Sequence, residues 1–176
     1  MRNANDTTRN TTEIKPAPVP VYIDADVLIC GSVSTTNVPH VILRLAEAHL
    51  IEGVVCIQAC KEAEKNIVDK FPEKATVARR LFRQIIDCFT VVTTPSPEEV
   101  TRYVGQAQPK DLPHLTAAIQ QHCQYFITYN IRHYYPSGNI PLVIRPDKFI
   151  ELGRVDELRK HNIYSDYMDE YQISLC

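Results

Sequence analysis

Short apolar runs alternate along this chain with longer stretches whose apolar residues recur every three or four positions. Val21-Tyr22-Ile23 is the first run; it ends in Asp24, and Asp26 follows two positions on. Consecutive apolar residues with a polar boundary read as a strand buried on both faces. Val54-Val55-Cys56-Ile57, Phe89-Thr90-Val91-Val92, Tyr125-Phe126-Ile127-Thr128 and Pro141-Leu142-Val143-Ile144 read the same way.

Between these runs the helical period takes over. Asp26 to Cys30 turns into a short helix. Asn37-Val38-Pro39 opens a second, with Val41, Ile42, Leu45, Ala46, His49 and Leu50 on one face and Gly53 as its breaker. A third resumes at Ala59 and runs through Glu62, Ala63 and Ile67 to Phe71. The next spans Glu73 to Cys88 on Ala75, Ala78, Leu81, Phe82, Ile85 and Ile86. Ser96-Pro97-Glu98-Glu99 is a helix start with a capping serine and acids in the first turn. Asp111-Leu112-Pro113-His114 opens another helix, and Pro146 starts a short one from Asp147 to Leu152. Strands alternating with helices predict an α/β fold of three layers, α/β/α, around a mostly parallel sheet of about five strands.

The chain has 176 residues, 44% hydrophobic and 23% charged, which suits one domain with a real core. Residues 20–153 are expected to form it. Residues 1–19, rich in Asn and Thr and closing on Pro16 and Pro18, read as a disordered lead. Residues 154–176, with Tyr164, Tyr167 and Tyr171, read as an arm packed on the domain or on a partner. No signal-peptide core precedes the first strand, and no apolar run reaches the ~20 residues of a membrane helix, so a cytoplasmic protein is expected. The six cysteines lack any Cys-x-x-Cys spacing and read as small buried hydrophobes in a reducing compartment. A net charge of -2 gives no global nucleic-acid signature, so such binding needs a local patch. Arg79, Arg80 and Arg83 at helical spacing make either a solvated face or an RNA track or partner groove.

Three acids stand out by position. Asp24 ends the first strand, Glu62 lies one or two turns into the helix after the second, and Asp111 opens the helix before the fourth. Singly each has an ordinary reading: Asp111 as a helix cap, Glu62 as part of the solvated face Lys61-Glu62-Ala63-Glu64-Lys65. Together, at the carboxyl edge of a parallel sheet, they would repel unless a cation sat among them. Oxygen ligands without a His/Cys set favour Mg²⁺ or Mn²⁺. Such an ion bridges phosphates and lowers the pKa of bound water, which is phosphodiester chemistry.

Five stretches then resemble, in order, those of PIN-domain proteins, the family of Mg²⁺/Mn²⁺-dependent ribonucleases that includes VapC-like toxins. Tyr22 to Ile29 resembles the opening Asp-x-Asn/Asp-x-Leu-Ile motif. Val54 to Glu62 resembles the strand-helix unit that carries the family's Glu. Lys110 to Ala118 resembles the central Asp helix, and Phe126 to Pro136 the closing Thr-x-Asp/Asn stretch with its basic-His-aromatic tail. Ile144 to Ile150 resembles the final strand-Pro-helix. The resemblance implies that Asp24, Glu62 and Asp111 bind the metal, that Asp26 orients the site and that Thr128 supports a fourth position. That fourth catalytic position is Asn130, where many members have Asp. The lost charge weakens a second cation more than a first, so one ion and two both stay open. Arg132 and His133 follow directly and are placed to meet phosphate.

The implied function is a metal-dependent endoribonuclease, the toxin of a toxin-antitoxin pair silenced by a small protein partner, with a homodimer as a family habit. The alternative is a catalytically degenerate PIN module that binds RNA or protein, and Asn130 is its best support. A haloacid-dehalogenase-type phosphatase also opens with strand-Asp-x-Asp, but this chain lacks that class's late acid pair. A receiver domain would need a Lys at the end of the last strand, which is missing.

Overall fold

The computed structural model describes residues 17–137 and 141–152. The lead up to residue 16 and the C-terminal arm lie outside the described residues. Among the described residues, five strands and seven helices follow one another as β1 (Val19–Ile23), α1 (Ala25–Val33), α2 (Val38–Glu47), β2 (Ile51–Cys56), α3 (Ile57–Lys70), α4 (Ala75–Ile86), β3 (Thr90–Val92), α5 (Pro97–Thr101), α6 (Leu112–Gln120), β4 (Tyr125–Ile127), β5 (Leu142–Ile144) and α7 (Pro146–Glu151). A single 3-10 turn, Ile131–His133, separates β4 from β5.

The sheet is parallel throughout, in the order β3-β2-β1-β4-β5. The first strand is thus the central one. Its Val21, Tyr22 and Ile23 are all fully buried, as both faces of a covered parallel strand must be. Val21 pairs with Gly53 on one side and Tyr125 on the other; Tyr22 pairs with Val54 and Phe126. The Tyr22 and Phe126 rings stack at 4.8 Å. One helical group, α1 to α4 with α7, packs together on α1 and α2, while α5 and α6 pack on each other and α6 lies against β2. These two groups on one sheet make the expected three-layer α/β/α arrangement.

Boundaries moved where the apolar pattern was ambiguous. β1 begins at Val19, two residues before its apolar run, because Val19 and Pro20 still pair with Ile51 and Glu52. β2 starts at Ile51 and takes in Gly53, which had read as the end of a helix. Helix α2 stops at Glu47, and His49 turns the chain with a φ of 55°. Ile57 belongs to α3, not to the strand before it. α1 extends through Gly31 to Val33, since a Cβ at Gly31 would lie 2.6 Å from Leu43 Cδ1 and the missing side chain lets α1 and α2 approach.

Candidate active site

The strand ladders run slightly past the strands and so set the acids at the sheet's carboxyl edge. The Asp24 amide donates to the Ile127 carbonyl and the Thr128 amide to the Ile144 carbonyl, each at 3.0 Å. Asp24 is buried. It caps α1, its Oδ1 accepting from the Ala25 amide at 2.8 Å, and its Oδ2 accepts the Tyr134 hydroxyl at 3.0 Å.

Asp26 stands one residue into the same helix. Its Oδ2 accepts from Asn130 Nδ2 at 2.9 Å, the Tyr129 amide at 3.1 Å and the Thr128 hydroxyl at 3.3 Å. Thr128 Oγ1 in turn accepts the Asn130 amide at 3.0 Å. The other Asp26 oxygen, Oδ1, is buried without any partner. Burial first, and then the neighbouring Asp24 charge, push the Asp26 carboxyl up to about 7, despite the donors on Oδ2. A buried carboxylate oxygen beside a second acid is the electrostatic condition that a cation relieves.

Asp111 occupies the N-cap position of α6 but makes no cap hydrogen bond there. Its Oδ2 instead lies 3.0 Å from His133 Nδ1. The two atoms are close without hydrogen-bond alignment, so each remains a buried polar atom with an open valence. Arg132, beside His133, is exposed. Glu62 projects from α3, half exposed, and its Oε2 sits 3.8 Å from His114 Nε2.

The structure therefore joins Asp26, Thr128 and Asn130 into one hydrogen-bonded network between α1 and the turn after β4, with Asp24 near it by charge and held separately by Ala25 and Tyr134. It brings Asp111 to His133, and Glu62 to a histidine that sequence reasoning had assigned only to a helix. His114 is buried; its Nδ1 lies 3.1 Å from the Tyr22 hydroxyl and 3.7 Å from Cys56 Sγ. Burial alone would lower the imidazole, but the hydrogen bond to Cys56 and the charge of Asp24 outweigh it and the net shift is upward. The Cys56 thiol moves the other way: burial raises it, His114 more than offsets this, and it ends lowered. The Tyr22 hydroxyl lies 3.1 Å from Cys56 Sγ and accepts the Cys56 amide at 3.4 Å. The available signal for His114 was its place three residues after Asp111, one helical turn along the same face. Tyr134 was visible only as the aromatic end of the closing motif.

The arginines of α4 have another use. Arg79 donates to Glu64 Oε1 from Nε at 3.2 Å and from Nη2 at 2.9 Å, and Arg83 Nη2 reaches the same oxygen at 2.6 Å. They tie α4 to α3.

A family model described as PIN domain matches residues 20–132, well over half of the chain. The chain belongs to the PIN-domain family. PIN domains are a nuclease family that generally uses divalent cations. A search of the curated proteins returns no match. Among solved structures, the fold is similar to a chain in the crystal structure of VapBC2 from Rickettsia felis bound to a DNA fragment from their promoter. The TM-score is 0.52 at 12% identity, covering 72% of this chain and 98% of that one. At that identity the likeness shows the fold alone.

For this PIN domain the donor set is one of carboxylates. Among the described residues no three His, Cys, Asp or Glu side chains are gathered closely enough to cage an ion. The Asp26 Oδ1, near the Asp24 charge, and the unaligned Asp111 Oδ2 are nonetheless hard oxygen donors. That suits a cation such as Mg²⁺, which is bound through one or two carboxylates and keeps several waters.

Proposed function

We propose that this PIN domain is a metal-dependent endoribonuclease that hydrolyses RNA phosphodiester bonds with Mg²⁺ or Mn²⁺. The observation that carries the reading is the pair of buried Asp24 and half-buried Asp26, with the Asp26 Oδ1 atom buried without an aligned hydrogen bond and its carboxyl raised by that environment. Two acids kept this close, at a sheet edge where parallel α/β folds bind ligands, ask for a counter-charge. Asp24, Glu62 and Asp111 would hold the ion, with Asp26 orienting the site beside Asp24. When bound, it supplies Lewis acidity toward phosphate and lowers the pKa of an attacking water.

The protein's own groups do the rest. Asn130, Thr128 and the Tyr129 amide fix the Asp26 carboxylate from one side, leaving Oδ1 for a ligand. The Ala25 amide fixes Asp24. Exposed Arg132 is placed to receive a phosphate, and His133, next to Asp111, to hold the same backbone or exchange a proton with it. In this reading the protein is the toxin of a toxin-antitoxin pair, restrained by a small antitoxin protein, able to pair with a second copy, and working in the cytoplasm. The likeness to a chain of the VapBC2 complex supports the pairing.

A second reading has its own observation. Asn130 puts an amide donor, not a fourth acid, against Asp26. A module that binds RNA without cutting it would tolerate that exchange. Purified protein incubated with labelled single-stranded RNA in Mg²⁺, in Mn²⁺ and in chelator separates the two. Metal-dependent cutting that Asp24→Asn abolishes supports the nuclease. Folded protein that binds RNA but cuts none in either metal supports the binding module.

A further inference from the structure

The stretch after β4 does more than close the family motif. His133 to Tyr135 runs antiparallel beside Gln106 to Gln108. The Gln108 amide donates to the His133 carbonyl at 2.8 Å, the Tyr135 amide donates to the Gln106 carbonyl at 2.9 Å, and Ala107 and Tyr134 form an isolated bridge. The Gln108 carbonyl then accepts the amides of Asp111 at 2.9 Å and Leu112 at 3.0 Å, which begins α6. The backbone on either side of Tyr134 is thereby tied to Gln106 and Gln108, and Gln108 in turn begins the turn that carries Asp111.

Its side chain reaches the other acid. The ring is buried against Phe126, with centroids 4.5 Å apart, and the hydroxyl donates to Asp24 Oδ2. Asp24 and Tyr134 are 110 residues apart in sequence. With Oδ1 held by the Ala25 amide and Oδ2 by Tyr134, the Asp24 carboxylate has no rotational freedom left. We propose that Tyr134 is a positioning residue, whose hydroxyl locks the Asp24 carboxylate while its backbone bridge to Ala107 sets Asp111 opposite. The proposal deepens the nuclease reading and rests on it for the metal. Outer partners that orient ligating carboxylates commonly change metal affinity 10–100-fold when removed.

Tyr134→Phe keeps the ring and its contact with Phe126 and removes only the hydroxyl. Full-length protein and variant are compared by the Ala25 amide resonance in metal-free protein, by Mn²⁺ titration, and by kcat and KM on RNA. The expected result is a shifted Ala25 amide and Mn²⁺ affinity lower by roughly tenfold. With Mn²⁺ at saturation, kcat should fall while KM stays the same, because Tyr134 is buried away from the substrate face. An unmoved Ala25 amide with unchanged Mn²⁺ affinity overturns the proposal. So does a melting temperature lowered by about 10 °C or more with Mn²⁺ affinity intact, which would make the hydroxyl purely structural. If wild-type protein binds no Mn²⁺ yet its Ala25 amide still moves in the variant, the lock on Asp24 is upheld and the metal reading is what fails.

Discussion

Asp26 is the side chain whose chemistry is most constrained by its surroundings. Burial and Asp24 hold its carboxyl at about 7, above the roughly 3.9 of an unfolded chain. The folded protein therefore binds that proton more tightly than the unfolded one. The associated stability is fully present below about pH 4 and is lost as pH rises through 7. The stability of metal-free protein should fall across this window, by at most a few kcal/mol at the top of it, its melting temperature falling with it, and Asp26→Asn should flatten the slope. Thermal melts at pH 4 to 8 in chelator test this; an equal slope in the variant would assign it elsewhere. The sequence made Asp24 and Asp26 conspicuous because carboxylates directly after an apolar run need partners. It did not show which partners. Tyr22, Cys56, His114 and Tyr134 lie in apolar or motif stretches, and their polar atoms acquire meaning only when β1, β2, α6 and the post-β4 turn meet. Asn130 was legible as a lost charge, but not as the donor that steadies Asp26.

Among the elements, β2 departs furthest from its sequence pattern, and α4 keeps its helix but uses its arginines between helices. Gly53 read as a helix breaker because a glycine after an apolar helical face is usually a stop. In the structure it sits mid-strand, where an added Cβ would lie 2.8 Å from the Phe89 ring and 3.0 Å from the Ala46 Cβ. Gly53→Ala should destabilise by about 1–3 kcal/mol through overpacking, measured by urea unfolding. An unchanged midpoint would mean that Phe89 can swing aside. The arginines of α4 could not be sorted from sequence between an RNA track and a solvated face, since their partner lies on another helix. Two of the three meet Glu64 on a partly exposed surface. Glu64→Ala should accordingly cost no more than about 1 kcal/mol, and less in high salt. Elements whose period was long and unmixed, such as α2 and α6, were recovered within a few residues. The strand-helix junctions moved because Ile51 and Ile57 fit either period.

At the scale of the whole molecule, the order of strands was the least legible feature, because parallel neighbours are set by crossovers and not by adjacent sequence. The proposed cation site belongs to the assembled edge, so binding there should appear as global stability. Mg²⁺ or Mn²⁺ should raise the melting temperature of wild-type protein in a concentration-dependent way, and chelator should reverse the gain. Asp24→Asn should respond far less, and an equal response would place the ion away from Asp24. The central position of β1 also has a consequence in time. During synthesis the first strand emerges early and can gain β2 as a neighbour, but its other flank stays bare until β4 has been made. The Asn130 amide that steadies Asp26 comes 104 residues after it, and the Tyr134 hydroxyl that grips Asp24 comes later still. A ribosome-bound fragment ending before β4 thus holds the opening acids without the groups that organise them. If the proposed nuclease activity holds, a nascent chain threaded among RNA would gain it only when its last strands leave the exit tunnel.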